Sequence, residues 1–192
     1  MQKIILASQS PRRRQLLEWA EVPFDIIIRE TDESFPAGLE PSAIAVHIAR
    51  NKALAVQAET DSAATPILAA DTIVVLDEHI IGKPGDREEA LRILTALAGR
   101  EHQVITGVVI LANGKEIAFA DSTHVIFHPL TRAQLEFYVD KYKPYDKAGA
   151  YAIQEWIGVV GIKEVHGDFY NVMGLPVSRV VQALQSLNRE EK

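Results

Sequence analysis

Apolar residues in this chain fall into two kinds of run, short unbroken ones and ones spaced three or four apart, which predicts strands interleaved with helices. Lys3-Ile4-Ile5-Leu6-Ala7 reads as a first strand. Ser10 followed by Pro11 then supplies an N-cap and a proline at N1 for a helix reaching about Ala20. Phe24 to Ile28 reads as a second strand, followed by a polar loop that contains Asp32 and Glu33. Pro41 opens a second helix, whose Ile44, Ile48 and Leu54 fall roughly at helical spacing. Ile67 to Leu76 is apolar except for Asp71 and Thr72, the pattern of a strand buried on both faces. Asp86 with Glu89 three residues later is a capping-box signature for a helix that stops at Gly99.

His102 to Leu111 and Glu116 to Phe127 flank Asn113-Gly114, a hairpin signal because both turn positions must take positive φ. Thr131 with Gln134 caps another helix, Trp156 to Val165 reads as a late strand, and a last helix is expected from about Leu175 to Leu187. The order is strand, helix, strand, helix, strand, helix, hairpin, helix, strand, helix. It predicts an α/β fold with a mixed sheet, since the hairpin must be antiparallel.

A length of 192 residues with 47% hydrophobic content suits one domain spanning 1–192. Only the tail Asn188 to Lys192 is expected to fray. The absence of cysteine excludes disulfides, thiolate metal sites and a cysteine nucleophile, which fits a reducing compartment such as the cytoplasm. No apolar run approaches the roughly 20 residues of a membrane span. A net charge of -6 argues against a broad nucleic-acid surface, although a local basic cluster still suits a small anion.

Arg12, Arg13 and Arg14 form such a cluster at the positive end of the first predicted helix, where the dipole opposes cations. An anion supplies the missing partner, because free backbone N–H groups, the Ser8 and Ser10 hydroxyls and the guanidinium forks all donate to phosphate oxygens. A solvated basic face is the plainer alternative. Asp71 inside an apolar strand needs compensation. It either coordinates a divalent ion, or takes a proton from an attacking water, or is a structural residue satisfied by backbone donors or a lysine. Glu33, Lys52, Lys83 and Lys147 carry no information singly. The signatures of P-loop, dinucleotide-binding and serine-hydrolase sites are absent, and His124 and His128 lie in strand-like sequence without a neighbouring Glu.

Together these segments resemble the Maf family of nucleoside triphosphate pyrophosphatases over nearly the whole chain. The similarity is carried by Ile5-Leu6-Ala7-Ser8-Gln9-Ser10-Pro11-Arg12-Arg13, Ala70-Asp71-Thr72-Ile73-Val74, Gly82-Lys83-Pro84 and the stretch from Gly99 to Val108. It continues in Asp146-Lys147-Ala148-Gly149-Ala150-Tyr151, Ile153-Gln154 and Asn171-Val172-Met173-Gly174-Leu175-Pro176. Gln9, Ala152 and Met173 stand where the family often has other residues, without removing a chemical group that the reading needs.

The resemblance implies two lobes of mixed, twisted sheet and flanking helices around a central cleft. It also implies a divalent cation (Mg, Mn or Co) and hydrolysis of a nucleotide to its monophosphate and pyrophosphate. It puts Asp71 at the proton-acceptor position, with Glu33, Lys52 and Lys83 at active-site positions. The mechanism expected from these residues has the divalent ion held through Glu33 and Asp71, directly or by water. Ser8, Ser10, Arg12 and Arg13 match the phosphate-binding loop. The positions of Arg12, Thr72 and Gln154, which differ among branches, resemble the dTTP/UTP branch. A glutamine amide can meet both the O4 acceptor and the N3–H donor of a uracil or thymine edge, whereas a carboxylate only accepts. The expected partners are a nucleotide and a second copy of the chain in a homodimer, with no nucleic acid and no membrane. The alternative reading is a nucleotide-binding regulator of septum formation with little turnover.

Overall fold

The computed structural model describes residues 2–60 and 65–189. The expected fraying of the tail falls partly at 190–192, outside the described residues. Seven strands form one mixed sheet in the order β2-β1-β3-β5-β6-β7, with β4 pairing on β3. They are β1 (Ile4–Leu6), β2 (Phe24–Ile26), β3 (Ile67–Leu76), β4 (His79–Ile81), β5 (Glu101–Ala112), β6 (Lys115–Phe127) and β7 (Ile162–His166). The chain divides into two compact units. One comprises residues 1–71, 106–121 and 174–192, the other 72–105 and 122–173.

In the first unit, β1 runs parallel to both β2 and β3, pairing Ile5 with Asp25 on one side and with Ile67 on the other. Parallel neighbours need crossovers, and two helices supply them. They are α1 (Pro11–Trp19) and α2 (Pro41–Gln57). The buried stripe of α2 includes Ile44, Ala45, Ile48, Ala49, Ala53 and Val56. Ala49, Ala53 and Val56 pack with Ile5, Ala7, Ile67, Ala69, Val109 and Leu111. Leu54, expected on that stripe, is instead exposed. Six residues from Ile48 does not return to the same helical face, and the smaller Ala53 and Val56 take the place. Small residues also let α2 lie close to the sheet, because a Cβ on Gly107 would sit 2.2 Å from the Ala45 carbonyl carbon.

The second unit holds α3 (Arg87–Leu97), α4 (Arg132–Tyr142), a 3-10 turn at Ala148–Ala150, α5 (Trp156–Gly161) and α6 (Phe169–Met173). A longer helix, α7 (Val177–Arg189), ends the described chain in the first unit. The capping box of α4 forms in full between Thr131 and Gln134. That of α3 is half formed: Asp86 accepts from Glu89 N at 2.8 Å, but the Glu89 carboxylate accepts from Gly85 N rather than from Asp86. Asn113 and Gly114 both take positive φ, as the hairpin required. A second hairpin joining β3 to β4 was not anticipated. Its turn residues, Asp77 and Glu78, adopt positive φ without the Asn-Gly or Asp-Gly pair that marks such turns.

The segment Trp156 to Val165, expected as one strand, is corrected to a helix followed by a strand. An unbroken apolar run does not separate the two by periodicity, and Gly158 decides it. A Cβ there would lie 1.7 Å from Ile153 O, so only glycine lets the chain coil back onto the preceding turn.

His102, on β5, is buried edge-on between Phe127 and Tyr151, and its Nε2 shares a 2.8 Å hydrogen bond with the Tyr151 hydroxyl. Burial pushes the imidazole down to about 4, against a smaller upward pull from Glu101. The unfolded chain takes a proton near 6.5 that the folded one refuses, so this contribution is complete above that pH. On the order of 3 kcal/mol of stability should therefore be lost as pH falls from about 6.5 to about 4. Denaturant titrations across that range check it, with His102→Gln expected to flatten the slope.

Candidate active site

The loop after β1 is built around one buried arginine. Ser10 caps α1 by accepting from Arg13 N at 3.4 Å, and Ser10 N donates to Ser8 Oγ at 3.2 Å. The Arg13 guanidinium turns inward. It donates through Nη1 to Ser8 Oγ at 3.1 Å and through Nε to Gly174 O at 2.7 Å. Burial lowers its pKa from the ordinary arginine value, opposed by the Asp71 carboxylate, lowered further by Arg12 and opposed again by Glu33. Those influences place Arg13, Asp71 and Glu33 in one electrostatic neighbourhood.

The three arginines therefore separate. Arg13 is buried, Arg12 is half-buried, and Arg14 is exposed in a 2.8 Å pair with Glu18 one helical turn on. For Arg14 the plainer alternative of a solvated basic face holds. Such an exposed pair contributes about 0.3–0.5 kcal/mol.

Asp71, in the middle of β3, is compensated by Lys52 from α2, whose Nζ lies 2.6 Å from Oδ1. The same ammonium lies 2.7 Å from Glu33 Oε1. One cation thus bridges two carboxylates, with side-chain exposures of 19% for Lys52, 14% for Asp71 and 51% for Glu33. The buried end of this triad is Asp71, and the end open to solvent is Glu33.

Thr72 begins the second unit, half-buried on β3. Lys83 is exposed just after β4. A hydrogen bond from Gly149 N to Gly82 O, 3.2 Å, sets the Gly82-Lys83-Pro84 segment against Lys147-Ala148-Gly149. Gly149 has φ +71, and a Cβ there would press on the Val74 side chain at 2.9 Å. The Lys147 ammonium is buried and lies 2.7 Å from Asp146 Oδ1 and 3.6 Å from Glu155 Oε1. Gln154 is exposed on the turn between that segment and α5.

The model of the Maf-like protein family matches residues 3–187. The chain belongs to the Maf family. A relative from Cytophaga hutchinsonii named dTTP/UTP pyrophosphatase is 48% identical over 188 residues, covering 98% of this chain and 85% of its own. Relatives of the same name from Parabacteroides distasonis and Bacillus anthracis are each 46% identical, covering 95% and 98% of this chain and 95% and 97% of their own.

In this Maf chain the structure brings Ser8, Ser10 and Arg13 together at the start of α1, and Glu33, Lys52 and Asp71 into one ion triad. Thr72, Lys83 and Gln154 lie in the other unit. Two groupings escaped the sequence reading. One is the mount that Gly174 O gives Arg13, 161 residues away in the chain. The other joins Tyr138 to Glu155, two residues without a motif of their own. Asn171 of the second unit is fully buried, and its Nδ2 donates to Val104 O at 2.9 Å and Thr123 Oγ1 at 3.1 Å.

Proposed function

We propose that this Maf protein is a pyrophosphate-releasing hydrolase of dTTP and UTP, and that both of its units serve that one activity as a single domain. The observation that carries the reading is the Glu33–Lys52–Asp71 triad, set in the same electrostatic neighbourhood as the arginine loop. The names of its relatives point to the same substrates. Asp71 accepts a proton as the water oxygen attacks the α-phosphorus. The bond from that phosphorus to the bridging oxygen breaks, and pyrophosphate leaves with the electron pair. Lys52 and Lys83 neutralise charge on the transferring and leaving oxygens, and the amides at the start of α1, Ser8, Ser10 and Arg13 hold the phosphate chain. Arg12, Thr72 and Gln154 select the base.

A divalent cation fits this donor set. Glu33 and Asp71 converge on a single ammonium, and among the described residues no group of three or more His, Asp or Glu gathers to hold a metal ion by itself, so an ion held by this pair would need oxygens from water and substrate. Two carboxylates, with water and phosphate oxygens completing the shell, are the usual provision for Mg bound with a nucleotide. When bound, such an ion polarises the phosphoryl oxygens and lowers the pKa of water. No described helix is long and apolar enough to cross a membrane, and the reading places the protein in the cytoplasm.

A panel of dTTP, UTP, CTP, GTP and ATP with Mg, Mn or Co tests the proposal by pyrophosphate release. Release is expected from dTTP and UTP above the others, abolished by chelation and restored by the metal. Saturable dTTP binding without release would point instead to the regulator.

A further inference from the structure

Gln154 is the third residue of a β-turn, closed by Glu155 N donating to Ala152 O at 3.1 Å. Both ends of that turn are tied to one hydroxyl. Ala152 N donates to Tyr138 Oη at 3.2 Å, and the same hydroxyl donates to Glu155 Oε2. Tyr138 is wholly buried on α4, with its ring stacked on Tyr142 at 5.0 Å between centroids. Its ring is thus fixed by packing and its hydroxyl by two bonds.

Glu155 is the N-cap of α5, yet its side chain makes no capping bond. Short Ser, Thr, Asp and Asn lead at N-caps because their oxygens reach the N2 and N3 amides. Here the longer carboxylate turns away from the helix, to Tyr138 and, at 3.6 Å, to the buried Lys147 ammonium. Gly158 adds a third constraint from inside α5, since its backbone lies so close to Ile153 O that no Cβ fits. Four residues of backbone are therefore held from three directions, and among them Gln154 is the exposed one. Local helix stability explains none of this, because the N-cap is left unused. A glutamine that distinguishes donors from acceptors on a base edge does explain it, because its amide discriminates only from a fixed height and direction.

We propose that Tyr138 and Glu155 are positioning residues for base selection: their hydrogen bond fixes the turn from which Gln154 reads the nucleobase. The proposal rests on Gln154 acting at the base.

The test measures kcat and KM for dTTP, UTP, CTP and GTP, with thermal midpoints alongside. The variants are Tyr138→Phe, Glu155→Ala, Glu155→Gln, Gln154→Ala and the double Tyr138→Phe/Gln154→Ala. Tyr138→Phe should lower the kcat/KM ratio of dTTP over CTP and GTP about tenfold, through KM, with kcat for dTTP within about twofold. Glu155→Ala should reproduce this, and Glu155→Gln, whose amide oxygen still accepts from Tyr138, should restore the ratio. The double variant should be no less selective than Gln154→Ala alone. An equal loss of kcat/KM on every nucleotide, or additive loss of selectivity in the double variant, overturns the proposal. Should Gln154→Ala change the ranking while Tyr138→Phe and Glu155→Ala do not, positioning alone is overturned. If Gln154→Ala leaves the ranking unchanged, its base-reading role fails and the proposal falls with it.

Discussion

Asp71→Asn is expected to reduce pyrophosphate release from dTTP by roughly 10²–10⁴-fold, the usual range for removing a general base. Asparagine keeps the volume of the side chain, and its amide oxygen can still accept from Lys52, so the hydrogen bond at 2.6 Å has a substitute. What it loses is the capacity to take the proton of the attacking water. Glu33 remains beside Lys52 at 2.7 Å, so the ammonium is not stranded in a low-dielectric site, and the fold should persist. The loss should therefore appear in kcat with little change in thermal midpoint. Wild-type turnover by the folded variant would exclude Asp71 as the base.

Gly107→Ala is the second large effect, and it reaches the site through the core. A Cβ at this position would lie 2.2 Å from Ala45 C, 2.3 Å from Val46 N and 2.5 Å from Ala45 O. All three are backbone atoms of α2, so no side-chain rotation relieves the clash and the helix must move. Overpacking of this kind costs about 1–3 kcal/mol and sometimes more. For a chain of this size each kcal/mol lowers the thermal midpoint by roughly 2–4 °C. Lys52 lies about two turns along the same helix from Ala45, so displacing α2 also pulls the ammonium from Asp71, and turnover should fall with stability. Calorimetry and dTTP hydrolysis measured on one preparation check both parts. An unchanged melt with full activity would mean that α2 does not need so close an approach.

Turnover and core packing are thus joined by α2, which carries both Ala45 against Gly107 and Lys52 against Asp71. Ala45 and Gly107 are both small and uninformative as isolated letters. Their closeness emerges only when α2 is laid on β5.

Local chemistry made several elements legible from the sequence alone. Ser10-Pro11 fixed the start of α1, Asn113-Gly114 the hairpin, and Thr131 with Gln134 the start of α4, because each acts on backbone groups within a few residues. The apolar run from Ile67 to Leu76 announced β3, and its one acidic interruption announced a residue that needed a partner. Identifying that partner was beyond local reasoning, since Lys52 and Glu33 come from a helix and a loop far along the chain and resemble ordinary surface charges until they converge. The same limit explains the misread segment. Trp156 to Gly161 has a composition that serves helix or strand equally, and the choice rests on how closely Gly158 approaches Ile153 O. Sequence determined where elements begin and which residues were chemically out of place. Tertiary structure decided which of those residues meet, because burial, charge compensation and close backbone approach are set by neighbours in space.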